Sequence, residues 1–84
     1  MGQRPYRFVL FKDSLYYLTR RAITEALDHY QRWLEPAGVF VVQMDNIKRH
    51  GWIRDLIRQR CTMLEDIESV DEDWLAMVFR ARAV

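Results

Sequence analysis

Lys12, Asp13, Ser14, Tyr16 and Tyr17 stand together just behind the first apolar run of this chain. Directly after a strand is where open α/β sheets take their ligands, outside the carboxyl ends of the strands. The structural alternative is that Asp13 and Ser14 cap a turn and the two tyrosines pack with their hydroxyls exposed. Taken alone, the residue types favour that alternative. His29 falls on the polar side of a long helical pattern, and His50 lies in a basic loop beside Lys48 and Arg49. With Cys61 they make no metal-ligand spacing, and no base stands near Cys61 in sequence to activate a thiolate. Lys48, Arg49, His50, Arg54, Arg58 and Arg60 form a basic cluster with Trp52 among them, a pattern that nucleic-acid-binding surfaces use. A formal net charge of only +1 favours a solvated helix face instead, and nucleic acid is not expected as a partner.

The charge is divided along the chain. Residues 1–60 carry 11 Lys/Arg against 6 Asp/Glu, and residues 61–84 carry 2 against 6. Such a split favours packing or pairing of complementary surfaces, for which the Glu65 to Asp73 segment and the basic cluster of a neighbouring subunit are one candidate pair; an ordinary solvated pattern accounts for it equally. Half of the 84 residues are apolar and 13% are aromatic, the composition of one globular domain spanning 1–84. A single cysteine leaves no internal disulfide and fits a reducing compartment. No run approaches the roughly 20 apolar residues of a membrane span. Met1-Gly2-Gln3-Arg4-Pro5 lacks the apolar core of a signal peptide, so a soluble cytoplasmic protein is expected.

The elements that would position these residues follow from periodicity. After Arg4-Pro5, the near-continuous apolar run Tyr6 to Phe11 reads as a strand covered on both faces. Leu15 to Leu18 forms a loop or short helical turn. Thr19 is a plausible N-cap for a helix from Arg20 to Leu34, with Ala22, Ile23, Ala26, Leu27, Tyr30, Trp33 and Leu34 on one stripe. Its polar face offers the pairs Arg21/Glu25 and Asp28/Arg32. Pro36 and Gly38 then end the helix. Val39 to Met44 is a second strand, Asp45 and Asn46 supply caps, and a second helix begins at Ile47 or Trp52 and runs to Arg60. Gly51 weakens its first part, and Ile53, Leu56 and Ile57 are its buried edge. Thr62 to Val70 reads as an edge strand. Asp71-Glu72-Asp73 is a charged turn, and Trp74 to Ala81 is a final strand antiparallel to its predecessor.

The β-α-β-α-β-β order resembles the C-terminal half of class I S-adenosylmethionine (SAM) methyltransferases, from the fourth strand onward. Tyr6-Arg7-Phe8-Val9-Leu10-Phe11-Lys12-Asp13-Ser14-Leu15-Tyr16-Tyr17-Leu18 is similar to that family's fourth strand and following loop. Leu34-Glu35-Pro36-Ala37-Gly38 is similar to the "LxPGG" turn before its fifth strand, with Ala37 in place of the first glycine. The acidic segment and Trp74 to Arg82 match the sixth and seventh strands. The implied fold is a half-Rossmann-like α/β fragment: a mixed four-stranded sheet with a C-terminal antiparallel hairpin. The resemblance also implies that Lys12, Asp13, Ser14, Tyr16 and Tyr17 occupy the loop lying near the transferred methyl group and its acceptor.

The family's cofactor rests on a glycine-rich loop after the first strand and on an acidic residue ending the second. Gly2, Gly38 and Gly51 stand in no G-x-G context, and the first three strands have no counterpart here. The expectation is therefore a truncated, non-catalytic domain with no cofactor of its own, binding SAM only where a partner supplies the other half. Free-standing halves of this type resemble what bacterial mobile gene cassettes carry. Without its family neighbour, the strand Tyr6 to Phe11 becomes a bare apolar edge, which invites pairing between chains. Phe8, Val9, Leu10 and Phe11 are thus the expected edge of a two-fold homodimer acting as a binding or interaction module, with Tyr16, Tyr17 and Trp33 nearby. The alternatives are an in-trans component of a SAM-dependent methyltransferase and a nucleic-acid-binding domain.

Overall fold

Alternating residues of the two central strands divide the molecule into a buried side and a bare side. The computed structural model describes residues 6–81; Gly2, Arg4, Pro5 and Arg82, which entered the sequence reading, lie outside the described residues. The chain runs β1 (Tyr6–Lys12), a 3-10 turn (Leu15–Tyr17), α1 (Arg20–Gln31), β2 (Leu34–Asp45), α2 (Ile47–Arg60), β3 (Cys61–Ser69) and β4 (Trp74–Ala81). The sheet order is β1-β2-β4-β3, with β1 parallel to β2 and both remaining pairs antiparallel. This is the expected α/β arrangement, a mixed four-stranded sheet closed by an antiparallel hairpin.

Phe40, Val42 and Met44 of β2 face Phe79, Met77 and Leu75 of β4 across the ladder, and all six are fully buried. Ile23 and Leu27 of α1, and Ile53, Leu56 and Ile57 of α2, join the same cluster. Both helices therefore cover one face, and the fold has two layers. Rings run across the strands under them: Phe11 stacks on Phe40 at 6.1 Å between centroids, and Phe40 on Phe79 at 5.4 Å. Among the described residues, no side chain in the core is polar or charged.

The strand expected to be covered on both faces is covered on one. Val9 and Phe11 pack against the core, whereas Phe8 and Leu10 are 59% and 50% exposed. The apolar run does mark two apolar faces, but the described residues supply a layer for only one of them.

The first helix stops earlier than its stripe predicts. Thr19 caps it as expected, its hydroxyl accepting the Ala22 N–H at 3.1 Å, and Arg21 pairs with Glu25 at 3.0 Å. Arg32 is already the C-cap, so Asp28 and Arg32 form no helix pair, and the Trp33 N–H closes a tight turn on the Tyr30 carbonyl. Pro36 disfavours helical geometry in Glu35, and Leu34 leaves the helix to bury itself at the start of β2. Nor is the Pro/Gly segment a helix-ending turn. Tyr6 aligns with Leu34 and Phe8 with Val39, so residues 35–38 bulge out of a continuous extended segment.

Gly38 owes its place there to close packing, since its φ is not positive. A Cβ on Gly38 would sit 2.9 Å from the Glu35 carbonyl oxygen and 3.1 Å from the Leu34 side chain. Gly51 has nothing within 4 Å of the same position. Gly38→Ala is expected to cost about 1–3 kcal/mol by overpacking. Gly51→Ala should stabilise by up to about 1 kcal/mol through helix propensity. Urea denaturation of the two variants checks both signs.

Candidate functional site

The parallel strands β1 and β2 end at the same edge of the sheet, and both leave it through a left-handed residue. Asp13 has φ 51° and Asn46 has φ 60°, conformations that Asp and Asn tolerate better than other residues. The Asp13 N–H donates to the Gln43 carbonyl at 2.8 Å, holding the turn against β2. Leu15 then plugs into the core, which fixes the 3-10 turn and places Tyr16 and Tyr17 above the strand ends.

Tyr16 stacks on the His50 imidazole at 4.8 Å and tilts against Tyr17 at 4.6 Å. His50 reaches this position because α2 breaks there: its φ and ψ are −112° and 15°, next to the weak point Gly51. Tyr16, Tyr17, Asp45, Asn46, Arg49 and His50 line an open cavity of about 370 Å³. Two phenols, an imidazole, a guanidinium, a carboxylate and an amide can stack on a planar ligand and hydrogen-bond its polar edge. Desolvation raises the Tyr16 pKa above its ordinary value, and the Tyr17 hydroxyl and the Asp13 and Asp45 carboxylates add to the effect.

Of the five residues singled out from sequence, the structure brings Tyr16 and Tyr17 to this cavity. Lys12, Asp13 and Ser14 are not part of its lining. One Asp13 carboxylate oxygen is buried without a hydrogen-bond partner, and the Ser14 side chain makes no cap bond. Asp45, Asn46, Arg49 and His50 were not recognisable as members of the same site. Their signal was the shared carboxyl end of two parallel strands, which puts the residues after Met44 beside those after Phe11.

The second helix is capped from a distance. Asn46 supplies no side-chain cap; the Ile47 N–H donates instead to Asp73 Oδ1 at 2.8 Å, and the Asn46 N–H donates to the Asp73 carbonyl at 2.8 Å. The β3–β4 turn thereby holds the rim of the cavity, and Arg20 adds a brace by stacking over Trp52 at 5.9 Å.

Part of the charge split is met within the chain. Arg54 pairs with Asp66 at 3.2 Å and Glu68 at 3.1 Å, and Arg58 also pairs with Asp66. The helix face read as a basic patch is thus partly neutralised by the strand beside it. Among the described residues, no group of three His, Cys, Asp or Glu side chains is placed to hold a metal ion. No described helix is long and apolar enough to cross a membrane.

A SAM-binding loop needs backbone amides free to approach a nucleotide, which glycine in a strand-to-helix turn provides. Gly38 lies in the β2 bulge and Gly51 inside α2, so the described residues do not make up such a loop.

No family model matches the sequence, and no curated protein matches it. Solved structures do. The PH0226 protein of Pyrococcus horikoshii OT3 superposes with a TM-score of 0.76 at 12% identity, over 98% of this chain and 54% of that one. The N-methyltransferase NodS of Bradyrhizobium japonicum WM9 superposes with a TM-score of 0.63 at 22% identity, over 92% of this chain and 51% of NodS. NodS in complex with S-adenosyl-L-homocysteine gives 0.65 at 22% identity, over 92% and 46%. The chain spans about half the length of these proteins, and its fold is that of a methyltransferase half-domain.

Two outcomes follow. Asp73→Ala removes the distant cap and is expected to cost about 1–2 kcal/mol, whereas Asp73→Asn keeps the acceptor oxygen and most of the stability; thermal melts compare them. The second concerns alkaline pH. A folded-state pKa raised above the ordinary 10.0 makes a stabilising contribution that is complete below that value. It is lost as pH rises through the raised pKa. Tyr16→Phe should therefore flatten the fall in stability above about pH 10, read from denaturation midpoints against pH.

Proposed function

We propose that this chain is a non-catalytic, methyltransferase-like module that works by association, with a second copy adding along β1. The observation that carries this is the state of β1 itself. It is the outermost strand, and its Phe8 and Leu10 side chains are more than half in water or close to it, at 59% and 50%. The Asp13 N–H points inward to Gln43. Two-residue alternation then turns the N–H groups of Phe11 and Val9 inward, and those of Lys12, Leu10 and Phe8 outward. An apolar edge with a row of free donors and acceptors is a template for another strand. Antiparallel pairing of β1 with its copy about a two-fold axis closes both edges at once and joins the sheets.

A second reading keeps the enzyme component: a partner carrying the cofactor-binding half docks on the same edge and completes a SAM-dependent methyltransferase in trans. The polar cavity at the strand carboxyl ends favours it, because open α/β sheets take ligands there. The two readings exclude each other, since each needs β1. A nucleic-acid role has less support, given the ion pairs that tie Arg54 and Arg58 to β3.

Light scattering over a dilution series, with and without SAM, separates them. An assembly of this chain that persists on dilution and ignores SAM is expected. Leu10→Pro, which deletes an outward N–H without touching the β1–β2 ladder, should halve its mass. A wild-type monomer at every concentration, or a mass or melting temperature that responds to SAM, overturns the self-pairing reading.

A further inference from the structure

The cavity at the carboxyl ends of β1 and β2 holds two opposite charges that do not pair with each other. Asp45 and Arg49 both line its space of about 370 Å³, and among the described residues neither has an ion pair. Elsewhere in the chain close opposite charges do meet, Arg54 with Asp66 and Glu68, and Arg21 with Glu25. The Asn46 side chain, on the same rim, caps nothing. Tyr17 adds a ring that is 79% exposed; Tyr16 leans on it at 4.6 Å, and His50 stacks on Tyr16 at 4.8 Å. These walls are fixed from outside the cavity, by buried Leu15 on one side and by Asp73 holding the Asn46 and Ile47 N–H groups on the other. A wall already in place costs a ligand less ordering on binding.

The remaining charges at this end of the sheet narrow the class of ligand. The Asp73 carboxylate accepts the Ile47 N–H at 2.8 Å, and Arg20 lies over Trp52. Lys12, Asp13 and Lys48 are close in the chain to lining residues without lining the cavity. Lys12, Arg20, Lys48 and Arg49 thus stand against Asp13, Asp45 and Asp73, a near balance with no single sign in command. A bare anion would meet Asp45 as well as Arg49, and a bare cation would meet Arg49 as well as Asp45. Only a ligand carrying both charges answers both.

We propose that this cavity binds an aromatic zwitterion, the chemistry of a free aromatic amino acid. Arg49 donates its fork of N–H groups to the ligand carboxylate, a pairing that suits two parallel hydrogen bonds, and the Asn46 amide donates beside it. Asp45 takes the ammonium, which also gains from a neighbouring tyrosine ring face. Tyr17 takes the ligand ring in offset stacking. None of the lining residues belongs to β1, so this binding stands or falls separately from pairing along that strand.

The test is a titration of the isotope-labelled full chain, followed by the NMR shifts of its amides. L-tryptophan is the probe; tryptamine lacks its carboxylate, indole-3-propionate its ammonium and glycine its ring. Tryptophan is expected to give saturable shifts centred on Tyr16, Tyr17, Asn46 and Arg49. The other three should each bind more weakly, by about fivefold or more. Arg49→Gln should lower the affinity for tryptophan to that for tryptamine, and leave tryptamine bound no more weakly than before. Asp45→Asn should do the same for tryptophan and indole-3-propionate. A folding defect would weaken every ligand alike, so this exchange of preferences supports the site itself. Equal affinity for the three indoles, a preference for either singly charged one, or shifts centred elsewhere overturns the proposal. So does the absence of saturable shifts with tryptophan, including the case where S-adenosyl-L-homocysteine binds and tryptophan does not.

Discussion

Everything in this molecule depends on the antiparallel register between β2 and β4. By setting Phe40 against Phe79, Val42 against Met77 and Met44 against Leu75, it gathers every second residue of both strands into one continuous apolar layer. A period of two leaves no freedom: a slip of one residue would turn that layer to solvent and present Val41 and Val78 to the helices instead. The helices then have one place to bury Ile23, Leu27, Ile53, Leu56 and Ile57, and they share it. A sheet with both helices on one side and valines on the other follows directly.

That one-sidedness is what connects the fold to the association proposed for it. Among the described residues, apolar surface is buried on the helix side and left partly exposed on the other, and β1 adds an edge whose backbone is half paired. The proteins that share this fold are about twice as long, and this chain matches about half of each. The polar cavity is independent of the exposed face and edge: it exists because β1 and β2 are parallel and so release their loops at the same end.

Several local features show tertiary structure overruling sequence-local chemistry. Asn46 looks like a cap but takes a left-handed conformation and leaves the capping to Asp73, 26 residues from the Ile47 N–H that it accepts. Proline and glycine after α1 look like a turn but form a bulge, because Leu34 gains more by entering the core than by continuing the helical stripe. Arg54 and Arg58 read as a basic surface but face β3, whose alternate residues Asp66 and Glu68 point at them.

The sequence by itself determined the order of the elements, the bounds of β4, the Thr19 cap and the antiparallel closing hairpin. These depend on periodicity and turn chemistry within a few residues of one another, and such interactions are written locally. It also placed Tyr16 and Tyr17 at a strand end. Only the tertiary structure decided that both helices lie on one face and that Arg49 and His50 share a cavity with the tyrosines. It alone decided, too, that the acidic strand pairs with Arg54 and Arg58 of its own chain's basic helix. Each of these is a contact between residues far apart in sequence. A run such as Tyr6 to Phe11 records that two faces are apolar; which of them receives a layer is settled only when the whole chain has packed.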